Sequence, residues 1–541
     1  MPAIGLVLFL SALDGTIVST ALPTISERLN LTPAEYSWVG SSYMIGMSVT
    51  TPFNGRLSDI VGRKPMLYSA IITFTIFSAI CGASVNATML IVARAFQGLG
   101  GGSLVALTLI VVSDIVPVHQ RGYYQGAIGG AWGVASVAGP ILGGVFTEKA
   151  SWRWCFYVNL PFCVAALVIL FYTLNLNPVK KTSLAVLYRT FDFLGLFLLI
   201  AGSILIIIGF SNAADHTFSQ PSAYGTIIGG VIAMAGAIIN FFYTERVPLC
   251  PPDLFRRRTP LLFLLSSFVQ AIAFLPSSYL LPQLFQGVRG VSALGAGVDM
   301  VPFAVICSVS MMAAGLINSY FRIVRPVAWF GYALSALTFG LMYRFFTYPL
   351  DRGIQVGLLI LAGIGTGVVI QVPMLILQAA LPLKDMAAVT SAWTLTRSLG
   401  GSIGLTIFTA VLNTQLRAKF SRIQGYGTAF TVPRDTNGYA RLHRLPDGPM
   451  KDQVLNAFAS SLGLCWIIMA AMYALCLVGT LPTKSYSTSH KPAVHQNDVT
   501  ESEDKKPGEI DGRNQAELTR LEDEKTDMPS RQIEKAVISE V

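Results

Sequence analysis

The chain is 541 residues long, 53% hydrophobic and 12% charged, with a mean hydropathy of +0.58 and a formal net charge of +9. Charged residues make up about a quarter of an ordinary soluble domain, so this composition excludes a soluble globular protein and fits a polytopic membrane protein. Much of the basic excess lies in short loops between apolar runs, where it sets orientation and is not a nucleic-acid footprint.

In chain order, apolar runs of roughly 20 residues fall near 4–24, 36–55, 66–84, 89–113, 123–147, 154–174, 191–210, 224–243, 260–285, 293–316, 327–346, 355–378, 387–412 and 457–480, fourteen candidate spans. Backbone groups in lipid must satisfy one another, so the runs predict helices and an all-α polytopic membrane protein. Six runs lie within 1–174, two within 175–259 and six within 260–482. A polar outer loop is expected over 413–454. A tail over 483–541, rich in Glu, Asp, Lys, Ser and Gln, is expected to be disordered and cytoplasmic. Fourteen Lys and Arg residues in one set of loops face six in the other, which places the first set in the cytoplasm and, with an even span count, both termini there. The two glycosylation sequons, at Asn30 and Asn86, both fall outside on this orientation.

The stretch Gly55-Arg56-Leu57-Ser58-Asp59-Ile60-Val61-Gly62-Arg63-Lys64-Pro65 is a short charged loop between two uncharged runs. Its glycines permit a tight turn, Pro65 opens the next helix, and Asp59 among three cations predicts a small ion-pair network. A degenerate copy follows at Gly315 to Pro326, with the Asp and the second Gly lost, as expected of an internal repeat.

Charges within spans are expensive and mark functional candidates: Asp14, Arg94, Asp299 and Arg397. Two glycine-rich stripes, Gly98 to Gly102 and Gly133 to Gly144, predict close helix packing, with Pro140 bending its helix. Gly98 to Gly102 lacks the strand and basic residue of a nucleotide loop. Gly400-Gly401-Ser402-Ile403-Gly404 matches a hydrolase nucleophile pattern, without its strand-turn-helix context or a nearby His. The seven cysteines form no C-x-x-C pair and the five histidines do not cluster, so neither metal nor cofactor is expected.

Five motifs in order carry a resemblance: Leu13-Asp14-Gly15-Thr16-Ile17-Val18 with Ala21-Leu22-Pro23, the Gly55 to Pro65 stretch, Arg94-Ala95-Phe96-Gln97-Gly98-Leu99-Gly100-Gly101-Gly102, Gly139-Pro140-Ile141-Leu142-Gly143-Gly144, and Ser151-Trp152-Arg153-Trp154 with Asn159-Leu160-Pro161. From Leu10 to about Pro482 the chain resembles a major facilitator superfamily transporter of the fourteen-span drug:proton antiporter branch, in a fungal form. The resemblance implies two six-helix bundles, 1–174 and 260–482, joined by two linker helices within 175–259. It leads one to expect a charged segment before the first span, where this chain carries Met1-Pro2-Ala3. It implies that spans one and four line a central cavity, where Asp14 and Arg94 can pair, Asp14 taking part in proton coupling and Arg94 tuning it, with a permanent structural salt bridge as the alternative; Asp299 and Arg397, read from the in-span charges alone, are the weaker candidates. Gly139, Pro140, Gly143 and Gly144 then form the antiporter motif. Gly55, Asp59, Gly62, Arg63 and Lys64, with Asp114, form a cytoplasmic gate latch. Gln97, Trp132, Gln270, Gln371, Gln378 and Trp393 are cavity candidates.

The implied function is proton-coupled efflux of hydrophobic or amphipathic small molecules such as drugs, fungicides or a self-made toxin. The implied partners are small organic cargo, protons and the bilayer, with no nucleic acid, and a monomer is expected. The plasma membrane is the expected location, with the vacuolar membrane as the alternative. An importer of related architecture is the rival reading, and a membrane-embedded enzyme or a sensor the more distant ones. The antiporter-type fifth span weighs against import, and no credible nucleophile or metal spacing supports an enzyme.

Overall fold

The computed structural model describes residues 2–483, apart from residues 32, 117–119, 174–190, 217–219, 245, 247, 322–323, 383–384, 428–429, 431–441 and 444. The described residues form α1 (Pro2–Leu29), α2 (Pro33–Val61), α3 (Arg63–Gly82), α4 (Ala87–Ile115), α5 (Arg121–Lys149), α6 (Trp154–Tyr157), α7 (Asn159–Thr173), α8 (Phe193–His216), α9 (Pro221–Tyr243), α10 (Asp253–Arg256), α11 (Arg258–Arg289), α12 (Ala293–Asp299), α13 (Val301–Phe321), α14 (Val324–Phe345), α15 (Arg352–Ala380), α16 (Met386–Phe420) and α17 (Pro449–Thr480). Every expected apolar run falls on a helix. Among the described residues, eleven spans are long and apolar enough to cross a membrane, against the fourteen expected. The three that fall short are α2, α5 and α14. Ser, Thr, Asn and a charged C-terminal end dilute α2, glycines dilute α5, and α14 carries Arg325 and Arg344.

Two further expectations are corrected. Gly55 to Pro65 is not a loop: α2 runs to Val61 and α3 begins at Arg63, leaving Gly62 alone between them. Gly62 holds φ at +107°, a left-handed region that favours glycine, so one residue makes the whole turn. The polar outer loop is shorter than 413–454. α16 continues to Phe420, with Arg417 and Lys419 in its last turn where cations suit the helix dipole, and α17 already starts at Pro449. Residues 483–541 lie outside the described residues except for Thr483, as does the whole stretch from 174 to 190.

Packing follows small residues. Lipid gives helices no hydrophobic reason to associate, so close backbone approach does that work. A methyl group added at Gly102 would lie 2.6 Å from the Met47 carbonyl, and one at Gly98 would strike the Tyr43 carbonyl, which locks α4 onto α2. One at Gly143 would lie 2.7 Å from the Ile17 carbonyl, and one at Gly139 would strike Thr16 Oγ1, which locks α5 onto α1. In the second half, Gly400 seats α16 on α11 at the Phe268 carbonyl, 2.6 Å from such a methyl, and Gly363 seats α15 on α13 at the Phe303 carbonyl, at 2.8 Å. A large apolar core built from residues between Phe263 and Cys476 fills that second half.

Helices of the two halves meet along two lines. α5 packs on α13 at Gly126, whose added methyl would lie 2.8 Å from Met312 Cα, and again at Gly129 and Gly133. α2 packs on α16 at Gly55, where the Ala387 carbonyl would lie 2.7 Å from an added methyl. α8 and α9 pack on each other, and α8 also leans on both α2 and α16.

Candidate functional site

A buried polar cluster is built by α1, α3, α4 and α7. Asp14 lies midway along α1, and Arg94 lies two turns into α4. Arg94 Nη1 donates to Asp14 Oδ2 at 2.5 Å, with side-chain exposures of 3% and 0%. Gln97, one turn further along α4, accepts from Arg94 Nη1 at 2.8 Å. Its Nε2 donates to Asp14 Oδ1 at 2.8 Å and to Ser78 Oγ at 2.7 Å. Asn159, the first residue of α7, donates to the same Asp14 oxygen at 3.0 Å. The Arg94 guanidinium lies 4.1 Å from the centre of the Tyr43 ring, and its Nε donates to the Val39 carbonyl at 3.4 Å. The predicted Asp14–Arg94 pair is therefore present, inside a closed network that spreads its charge over several helices. A buried pair of this kind adds little net stability, but removing one partner strands the other.

Asn159, Ser78 and Tyr43 were not anticipated as site residues. Asn159 offered a signal, an amide at the head of an apolar run, whereas a lone Ser or Tyr in a span does not stand out. Asp192 was also missed: it is buried, caps α8 through the Gly195 N–H at 2.8 Å and accepts from Asn240 Nδ2 at 2.8 and 3.0 Å.

Asp299 and Arg397 do not pair. Asp299 stands at the break between α12 and α13, not deep within a helix, and forms an ion pair with Arg289, the last residue of α11. Gln355 Oε1 accepts from the same Arg289 nitrogen at 3.2 Å. Arg397 lies far from both ends of α16. Its guanidinium sits 4.8 Å from the centre of the Trp393 ring, and Nη1 makes a long 3.5 Å contact with the Ile370 carbonyl.

At the Gly62 turn the hub is Arg63. It donates to Asp114 Oδ2 at 2.8 Å, Asp59 Oδ1 at 2.5 Å, Ser58 Oγ at 2.5 Å and the Gly55 carbonyl at 3.3 Å. These bonds tie α2 to the foot of α4. Lys64 takes no part: its Nζ donates to the Phe171 carbonyl at 3.4 Å, at the end of α7. One residue beyond Arg63 on a new helix, it points about 100° away, and it is Arg63 that bonds Asp59. In the degenerate copy, Arg325 reaches the Leu481 carbonyl at 3.4 Å and the Trp329 ring at 4.7 Å, and Arg322 lies outside the described residues. Arg121 reinforces the same end, donating to the Ser113 carbonyl at 2.6 Å and to Met386 Sδ at 3.6 Å at the start of α16.

Gly139 and Gly143 face α1 as described, and the Gly143 and Gly144 carbonyls accept from Thr147 Oγ1 at 2.8 and 3.0 Å. The α5 backbone is helical through Pro140, whose side chain lies outside the described residues. Of the cavity candidates, Gln97 belongs to the ion-pair network. Trp393 is buried and donates to Ser267 Oγ at 3.2 Å, and Gln378 is buried with a 3.4 Å bond to Thr390 Oγ1. Gln270 is buried, and among the described residues its Nε2 lacks a hydrogen-bond partner, as does Gln371 Oε1. Trp132 is 37% exposed on α5. None of the six lines the cavity of about 480 Å³ beside Arg28 and Arg153, or the one of about 340 Å³ beside Ser310 and Phe330. Asn30 and Asn86 are exposed, and the Asn86 side chain caps α4 by accepting from Met89 N at 2.8 Å.

Residues 4–405 match the profile described as Major Facilitator Superfamily. An uncharacterized transporter of Schizosaccharomyces pombe is 32% identical over 513 residues, covering 94% of this chain and 84% of that protein. The efflux pump dotC of Dothistroma septosporum is 36% identical over 486 residues, covering 88% of this chain and 82% of the pump. Among solved structures, the human organic anion transporter MFSD10 is 15% identical with a TM-score of 0.61, covering 88% of this chain and 98% of that one, a likeness of fold. These relatives are transporters and not enzymes. On the profile match and the identity along most of its length, the chain belongs to the Major Facilitator Superfamily and is an integral membrane transporter.

Proposed function

We propose that the chain is a proton-driven exporter of hydrophobic or amphipathic organic molecules, of the fourteen-span drug:proton antiporter type. Fourteen spans would form two six-helix bundles, 1–174 and 260–482, with α8 and α9 as linker helices, in a monomer with both termini in the cytoplasm. The plasma membrane is the expected site, with the vacuolar membrane as the alternative. The observation that carries the reading is Asp14, a fully buried carboxylate held across helices by Arg94, Gln97 and Asn159. A carboxylate kept within a membrane segment at such cost suits a group that takes and releases a proton. Likeness to the efflux pump dotC supports export as the direction.

In this reading the Arg63 knot and the Gly55–Ala387 contact hold the cytoplasmic side closed, and proton uptake at Asp14 loosens the network so that the halves rock. The antiporter motif keeps α5 against α1 and limits proton leak. The test is export of fluorescent dyes from cells lacking their own pumps, with and without a proton uncoupler. Uncoupler-sensitive extrusion is expected. Net uptake of the same dyes would sink the proposal.

A further inference from the structure

Two arginines lie inside the spans, and the chain treats them differently. Arg94 receives a carboxylate, an amide oxygen and two aromatic rings, Tyr43 and Phe156. Arg397 receives the Trp393 ring and one long carbonyl contact, and no carboxylate lies within ion-pair distance among the described residues. Arg397 is eleven residues into α16, roughly 17 Å from its start, which is mid-bilayer for a hydrocarbon core of about 30 Å. An uncompensated cation at that depth is costly and calls for a partner.

Its surroundings are built for one. Cys307 packs with Ile370, and Tyr473 lies one turn along α17 from Cys476, whose Sγ donates to the Ser266 carbonyl at 3.5 Å, beside Ser267. Tyr473 is fully buried, yet its hydroxyl has no hydrogen-bond partner among the described residues. The Nε2 of Gln270 is in the same position, one turn along α11 from Ser267, to which Trp393 is bonded. Beside the Ile370 carbonyl stands an apolar group, Ile370, Cys307, Met311 and Phe274, with the Phe303 ring tilted by 31° against Phe274 at 6.5 Å. Two unspent donors thus stand within a turn of the contacts at Ser266 and Ser267 that anchor Trp393, whose ring covers the cation, and an aromatic and thioether wall adjoins it.

We infer that Arg397, with Tyr473 and Gln270, forms an anion subsite on the second half, and that the cargo includes organic acids with an aromatic body and a single carboxylate or equivalent anionic head. The head would take a charge-assisted bond from the Arg397 guanidinium, and the body would lie against Trp393 and Phe274. This names a substrate class for the export function proposed above, but binding tests it separately from transport direction.

The probe is pyrenebutyrate, compared with its methyl ester, binding to detergent-purified full-length protein and followed by quenching of tryptophan fluorescence. Wild type should bind the acid at least about tenfold tighter than the ester. Arg397→Gln should remove that preference while leaving ester binding unchanged, and Arg397→Lys should keep part of it. Tyr473→Phe should weaken acid binding about two- to tenfold without touching the ester. Equal binding of acid and ester by wild type would overturn the inference, whatever the variants do. So would an Arg397→Gln protein that binds the acid as wild type does, or one that loses acid and ester equally, which marks a packing role. Export is measured on the same pair in cells: acid-selective binding with inward transport would overturn the export proposal and leave the subsite standing.

Discussion

Replacing Asp14 with Asn removes the only carboxylate that Arg94 touches among the described residues. Stranding a buried charge costs about 3–5 kcal/mol. Arg94 keeps the Gln97 oxygen, the Val39 carbonyl and the face of Tyr43, and a desolvated cation over such a ring recovers about 2 kcal/mol. The expected net loss is about 1–3 kcal/mol. Arg94→Gln leaves Asp14 with amide donors from Gln97 and Asn159 and no cation, so it should cost the full 3–5 kcal/mol or about that. The double variant is a neutral network and should unfold later than Arg94→Gln alone, with a coupling energy of about 2 kcal/mol. Thermal unfolding of the detergent-purified proteins measures the order. Uncoupler-sensitive efflux, measured in the same Asp14→Asn variant at matched surface expression, should be lost. Wild-type stability in Asp14→Asn, with a double variant no better than Arg94→Gln, would refute the energetic reasoning. Full proton-driven efflux would refute the coupling role.

Gly98→Ala should destabilise by about 1–3 kcal/mol because its methyl would meet Tyr43 backbone, which cannot swing aside, whereas Gly130→Ala, in open space, should be neutral or slightly stabilising in the same melting assay. Arg63→Gln breaks four bonds at the Gly62 turn and should slow dye turnover several-fold with little change in apparent affinity; a pure affinity loss would contradict the latch. In the loop before α17, the Lys451 ammonium 2.7 Å away holds the Asp447 carboxyl below its ordinary range. A depressed folded value stabilises at neutral pH and loses that contribution as the pH falls through it, so Asp447→Asn should flatten the acid limb of the stability profile only.

Asp14 and Arg94 were legible because a charge in an apolar run stands out along a single dimension, and their motifs placed them on adjoining helices. The ends of α16 and α17 were not, because a helix leaving the hydrocarbon can continue with polar residues at no penalty, and hydropathy is silent there. The shortfall of α2, α5 and α14 comes from the polar residues, glycines and terminal arginines they carry, which lower hydropathy without breaking a helix. The separation of Asp299 from Arg397 follows from tertiary placement, since Arg289 closes α11 next to the α12–α13 break and takes Asp299 first.

The glycine contacts sort the first half into two welded rods, α1 with α5 and α2 with α4. Each rod carries a different bearing on the second half: α5 rides on α13, and α2 on α16. Asp14 belongs to one rod and Arg94 to the other, so their bond works as a crosspin. With the pin in place, the two bearings are tied to each other. In the proposed cycle a proton withdraws it, α1/α5 and α2/α4 slide past one another, and one bearing opens while the other stays shut.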